Sequence, residues 1–155
     1  MPIQESLQVV VKKLQDKFGD SILSTQEFRD EVTVRFKPEV WVEAHRFLKE
    51  DEDCAFNMMI DETAADYPLR TERFDVITHL LSLGKAHRIR IKTQTAEHIP
   101  TLYSVWKTAN WLERETYDLF GIIFDGHPDL RRILLTEDWE GFPLRKDYPI
   151  EGYDI

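Results

Sequence analysis

The chain has 155 residues, a formal net charge of −9 and a single cysteine. The length suits one domain with a real core, the charge argues against a general nucleic-acid binder and against attraction to an anionic membrane surface, and Cys54 alone excludes an internal disulfide and fits a reducing compartment. No apolar run approaches a membrane span, no signal peptide is read at the start and no internal repeat appears, so a cytosolic protein, or one held to the cytosolic face of a membrane by a partner, is expected.

Ile3, Leu7, Val10, Val11, Leu14 and Phe18 recur at helical spacing, and Gly19 can close that helix. Residues 21–26 are a strand candidate. Val32, Val34 and Phe36 alternate with Thr33 and Arg35, which predicts a half-buried strand. Pro38 starts a second helix with Val40, Trp41, Ala44, Phe47 and Leu48 on one face. Residues 50–53 read as a solvated connection, 55–61 as an apolar strand and 62–70 as a loop. Residues 74–83 read as a central strand, Gly84-Lys85 as a turn, and 87–93 as a returning strand with Ile89 and Ile91 inward.

From Pro100 onward, Leu102, Val105, Trp106, Ala109, Leu112, Thr116, Leu119 and Phe120 predict one long amphipathic helix. Pro100 would sit in its first turn, and Gly121 would close it in the left-handed conformation with Ile122 folding back onto Tyr117. The order α-β-β-α-β-β-β-α predicts an α+β domain over residues 1–121: two layers, with helices packed on one face of an antiparallel or mixed sheet. Residues 122–155 have no period, and Gly126, Pro128, Gly141, Pro143 and Pro149 break every regular run. Trp139, Phe142, Tyr148, Leu134 and Leu135 make the stretch too apolar for a disordered linker. It reads as an extended docking arm, whose part from Leu134 to Ile155 should be mobile in the free chain and ordered on a partner.

One cysteine cannot hold an iron–sulfur cluster, and the six glycines form no dinucleotide fingerprint. The five histidines have no metal-ligand spacing. Glu113 and Glu115, two apart on a helix, point to opposite sides and cannot jointly flank a substrate. Glu115 and Asp118 share a face near the helix end, where like charges oppose the dipole and call for a cation, either Arg131 and Arg132 or a residue of a partner. The expectation is a solvated acidic edge paired with Arg131 or Arg132, with Arg114 reaching Asp118 across one turn. His127 reads as a turn histidine that hydrogen-bonds locally. Trp106, Trp111 and Trp139 read as core or interface. Arg145 and Lys146, set among Phe142, Leu144 and Tyr148, read as anchors for an acidic partner surface.

Glu113-Arg114-Glu115, Asp118-Leu119-Phe120, His127, Arg131, Ile133 and Leu134, followed by Gly141-Phe142-Pro143-Leu144-Arg145-Lys146-Asp147-Tyr148-Pro149, resemble the signature of one family. It is the thirty-kilodalton subunit of the proton-pumping NADH:quinone oxidoreductases (respiratory complex I). The resemblance implies a two-layer fold and a non-catalytic structural subunit of the enzyme's peripheral arm. The parent enzyme oxidises NADH, reduces quinone and translocates protons. The resemblance puts NADH, FMN, iron–sulfur clusters and quinone on partner subunits and none on this chain, and the isolated chain is expected to be inactive. The chief partner implied is the hydrogenase-like large subunit, with neighbouring iron–sulfur subunits, on the cytoplasmic side of the cell inner membrane. Glu113, Arg114, Glu115, Asp118, His127, Arg131, Arg132, Phe142, Arg145, Lys146 and Tyr148 are the signature and docking residues. Related subunits of photosynthetic NDH complexes and membrane-bound hydrogenases share the signature, so an equivalent scaffold there is the alternative. A small acid–base enzyme using Glu115, Asp118 and His127 is the alternative of another class.

Overall fold

A computed structural model describes residues 5–153. Ile3 of the first stripe and the last two residues of the arm, to Ile155, lie outside the described residues. Helix α1 (Glu5–Phe18) buries Leu7, Val10, Leu14 and Phe18. Strands β1 (Ile22–Phe28) and β2 (Glu31–Phe36) form a hairpin whose turn residues Arg29 and Asp30 both have positive φ. A short 3-10 turn from Pro38 leads into α2 (Trp41–Glu50), which buries Trp41, Ala44, His45 and Leu48. Strands β3 (Met58–Asp66), β4 (Phe74–Ser82) and β5 (His87–Thr95) follow as an antiparallel meander. Then come β6 (His98–Pro100), α3 (Ala109–Phe120) and β7 (Ile123–Asp125).

The five-stranded sheet runs β1-β2-β5-β4-β3, with β2 and β5 parallel and its other pairs antiparallel. The fold is therefore α+β with a mixed sheet. Strand alternation sends Val32, Val34, Ile89, Ile91, Val76, Thr78 and Leu80 to one face, and all seven are buried. All three helices reach that face. Ser6 of α1 meets His87 of β5, His45 of α2 meets Thr78 of β4, and Thr116 of α3 donates to the Glu62 carbonyl of β3. His45 Nδ1–H donates to the Trp41 carbonyl at 2.8 Å, so Nε2 accepts from the Thr78 hydroxyl, also at 2.8 Å. Burial pushes its pKa down to about 4, which keeps this core histidine neutral. The opposite face is polar: Arg35 grips Asp75 through two hydrogen bonds, and Arg70 adds a third.

Two expected elements are corrected. The long helix does not start at Pro100. Pro100 ends β6, which pairs in parallel with β7, and helix α3 begins only at Ala109. Leu102, Val105 and Trp106 are buried, but on a turn in which the Leu102 carbonyl accepts the N–H groups of Val105 and Trp106. A turn satisfies three- and four-residue spacing as well as a helix does. The second correction concerns β3, expected over 55–61 and followed by a loop. Ala55 has a left-handed φ of 48°, and the strand runs three residues later than expected and on to Asp66. Glu62 and Asp66 are buried on its inner face, where acidic residues read as solvent-facing.

Candidate docking site around the third helix

Helix α3 ends where the sequence predicts, at Gly121, with φ +76° and its N–H bonded to the Tyr117 carbonyl. A Cβ at Gly121 would lie 2.6 Å from both Arg145 Nη2 and the Phe142 ring. The glycine therefore serves both the cap and the close approach of the arm.

Asp118 sits just before that cap and is wholly buried. Its Oδ2 accepts the N–H groups of Ile133, Leu134 and Leu135 at 3.0, 2.7 and 2.9 Å. Its Oδ1 accepts from Arg132 Nη1 at 2.7 Å. Burial acts to raise its pKa, but the three N–H groups and the guanidinium outweigh that and hold the carboxyl below its usual range. Arg132 also donates to the carbonyls of Asp118, Trp139 and Gly141. One ion pair thus ties the helix end to two separate turns of the arm.

The expected pair between this edge and Arg131 or Arg132 is present as Asp118–Arg132, but it is not solvated. Arg131 pairs instead with Asp129, both exposed. Glu115 is exposed. Arg114 does not reach Asp118; it donates to the carbonyls of Arg131 and Arg132 at 3.2 Å each. The backbone of the returning arm lies closer to it than the side chain one turn on.

On the other side of α3, Glu113 points into the interior. It accepts from the Thr101 hydroxyl and, at 2.6 Å, from the Leu102 N–H, so it fixes the turn that the sequence reads as helix. Burial pushes its pKa up to about 7 against the pull of those two donors. Glu62 is its neighbour in charge. Burial first, then repulsion from Glu113 and Asp61, drives the Glu62 pKa well up. Among the described residues neither Glu62 oxygen has a hydrogen-bond partner. His127 is a turn histidine, as expected: Nε2 donates to the Asn110 carbonyl at 2.9 Å, and Nδ1 accepts the Asp129 N–H at 3.0 Å. Its ring lies 3.8 Å from Glu113 and is fully buried.

The arm is pinned to its own domain. The Leu144 N–H donates to the Leu119 carbonyl at 3.0 Å, and Arg145 Nε donates to the Phe120 carbonyl at 2.6 Å. Phe142 packs edge-on against Tyr117, with the guanidinium groups of Arg132 and Arg145 5.2 and 4.7 Å from its ring centre. Arg145 is thus turned inward onto the end of α3. Further along, Arg73 holds Asp66 and Asp147 together, and the Lys146 N–H donates to Asp66 at 2.7 Å. Tyr148 packs edge-on against Tyr153. Glu62, Asp66, Arg73 and Thr101 are the site residues that sequence reasoning missed. The alternation of Glu62, Ala64 and Asp66 was the available signal.

Glu115, Asp118 and His127 are engaged separately. Glu115 faces out, Asp118 is consumed by the arm, and His127 lies against Glu113 and Asn110. The outer surface of this region carries exposed Trp111, Leu134, Trp139, Leu144 and Ile150. Such large apolar groups beside Arg and Tyr are the composition of protein interfaces.

Comparison with known proteins places these features. Residues 34–154 match the family described as respiratory-chain NADH dehydrogenase, 30 Kd subunit. The C subunit of NADH-quinone oxidoreductase from Geotalea uraniireducens is 51% identical over 147 residues, covering 93% of this chain and 88% of that protein. The mitochondrial NADH dehydrogenase [ubiquinone] iron-sulfur protein 3 of Candida albicans is 46% identical, covering 96% of this chain and 57% of that protein. Among solved structures, a trypsin-resistant fragment of Nqo5 superposes with a TM-score of 0.70 at 31% identity, covering 81% of this chain and 99% of that one. A structure of the membrane-bound sulfane sulfur reductase, an archaeal respiratory membrane complex, has a TM-score of 0.79 at 23% identity, covers 94% of this chain and 87% of that one, and shows the shared fold.

Proposed function

This chain belongs to the 30 kDa subunit family of respiratory-chain NADH dehydrogenase, and from that premise we propose that it acts as a non-catalytic scaffold of the enzyme's peripheral arm. It supports electron transfer from NADH to quinone, coupled to proton translocation, without carrying a redox centre. FMN, iron–sulfur clusters, NADH and quinone belong to partner subunits. One observation carries the reading: the signature residues build a joint. Arg114, Asp118, Arg132, Phe142 and Arg145 are spent on fixing α3 to the arm, and Glu113 on fixing α3 to the turn at Leu102. Among the described residues Glu115 faces out, Asp118 is held by the arm and His127 is bonded to the Asn110 carbonyl, so these three do not converge on one pocket.

The docking surface is then the exterior of that joint, around Trp111, Leu134, Trp139 and Leu144. Its partner in this reading is the hydrogenase-like large subunit, with the neighbouring iron–sulfur subunits. Among the described residues no helix is long and apolar enough to cross a membrane. In this reading the chain is attached peripherally, through the complex, on the cytoplasmic side of the inner membrane.

The test is purification of the native protein beside the isolated chain. Co-elution with large, iron-containing partners is expected, together with a colourless, inactive isolated chain. A stoichiometric flavin or iron–sulfur absorption band in the pure, reconstituted chain, or turnover of NADH by it, would overturn the reading.

A further inference from the structure

Strand β3 is an outer strand of the sheet. The Tyr67 N–H donates to the Arg73 carbonyl at 2.8 Å, which marks that pair as hydrogen-bonded. Antiparallel alternation then turns the backbone groups of Thr63 and Ala65 towards β4, and those of Glu62, Ala64 and Asp66 outward. The Glu62 carbonyl takes the Thr116 hydroxyl at a long 3.4 Å. The outward N–H and C=O of Ala64 and Asp66 have no such partner among the described residues.

A groove follows this edge. One cleft of about 140 Å³ is lined by Asp61, Glu62, Thr63, Glu115, Thr116 and Leu119, and a second of about 390 Å³ by Ala64, Asp66, Tyr67 and Lys146. Phe120 and Leu144 line both, so the two lie side by side along the edge. At the first end stand Asp61, Glu62 and Glu115, and among the described residues none of them meets a cation within ion-pair distance. Glu62 is the most telling of the three, being buried with both oxygens unpartnered. An unpartnered buried carboxyl costs stability unless something arrives to pair with it.

Resting on the subunit reading above, we infer that this groove receives an extended segment of a partner subunit, which pairs with the free edge of β3 and carries a lysine or arginine side chain into the acidic end. Each half of the site selects for one property of the occupant. Outward backbone donors and acceptors at two-residue intervals fit an extended polypeptide and neither a free ion nor a helix. Phe120 and Leu144 supply an apolar floor for the middle of the segment. The carboxyl groups of Asp61, Glu62 and Glu115 supply acceptors for an ammonium or guanidinium group. Paired in this way, β3 would cease to be an open edge.

The test uses the assembled complex and the full chain side by side. Amide exchange at Ala64 and Asp66 should slow by about 100-fold or more on assembly, with Thr63 and Ala65, bonded to β4, as internal references. A photoreactive p-benzoylphenylalanine in place of Thr63 should cross-link to a partner segment that holds a lysine or arginine. The double substitution Asp61→Asn with Glu62→Gln should cut that cross-link yield about tenfold while the isolated chain keeps its circular dichroism. Unchanged exchange at Ala64 and Asp66, or cross-links only to a segment without a cation, overturns the inference. Failure of the chain to co-purify with iron-containing partners is a different result, and it sinks the subunit reading itself.

Discussion

Asp118 lies at one end of α3, between the helix and the arm, and Glu62 with Glu113 lies on the helix's other side, between it and β3. All three carboxyl groups are buried. Asp118 has a guanidinium and three backbone N–H groups converging on it. Glu113 has two donors and a neighbouring acid, and Glu62 has no partner among the described residues. The first site fixes a charge and the second pushes charge out. The difference shows what a buried acid can do in this fold: where a guanidinium and several N–H groups converge on it, it becomes a charged peg, and where fewer donors meet a second acid, it remains a proton-binding group.

The largest effect should come from removing the peg. Asp118→Ala leaves the Arg132 guanidinium without its carboxylate and three N–H groups without an acceptor, and should cost about 3–5 kcal/mol, read as a lower urea midpoint. A cost below about 1 kcal/mol would erase the contrast between the two sides.

Next is the pH dependence of the other side. The folded pKa of Glu113 is about 7, above its ordinary 4.5. Its contribution is therefore complete below about pH 4 and is lost as pH rises through 7. His45, held down to about 4, acts in the opposite direction: its contribution is present above about pH 6.5 and is lost as pH falls through 4. The measurement is therefore the difference between wild type and Glu113→Gln. The variant should gain about 1–3 kcal/mol on the wild type between pH 5 and pH 8. A difference that does not move with pH would mean that Glu113 is ionised throughout.

Gly121→Ala tests the joint itself. A left-handed φ and a Cβ 2.6 Å from Phe142 and Arg145 should cost about 1–2 kcal/mol, and limited proteolysis should cut the arm sooner than in the wild type. The smallest effect is expected for Glu115→Gln and Arg131→Gln. Glu115 is exposed and Arg131 has only an exposed partner, so each should shift stability by less than about 0.5 kcal/mol. A larger loss would show that the outer edge of α3 shares in the peg.

Legibility in the sequence followed how local each cause was. Helices α1 and α2 and strands β2, β4 and β5 are written in periods that one element satisfies alone. The Gly121 cap is equally local. The pairing of the acidic edge with Arg131 or Arg132 followed from charge at a helix end, and the structure realises it as Asp118–Arg132. Its burial did not follow, because the cover comes from residues 133–135, whose approach no period announces. Residues 102–106 mimicked a helix because turns share its spacing. Strand β3 was misread for the reverse reason: Glu62 and Asp66 carry charge on a face that α3 and Arg73 close from elsewhere in the chain.

The parallel pairing of β2 with β5 has a kinetic consequence. The hairpin of β1 and β2 and the meander of β3, β4 and β5 each join neighbours in sequence, and each can form on the timescale of local turns. Their union cannot. Arg90 and Thr33, which meet across that seam, are 57 residues apart, so the loop-closure entropy is met there in one step. The seam should set the folding rate, with the hairpin waiting for residues beyond 87 before the sheet can close. During synthesis the first 86 residues therefore hold two separate hairpins, β1–β2 and β3–β4, and the edges of β2 and β4 that will receive β5 stay free until the ribosome delivers it.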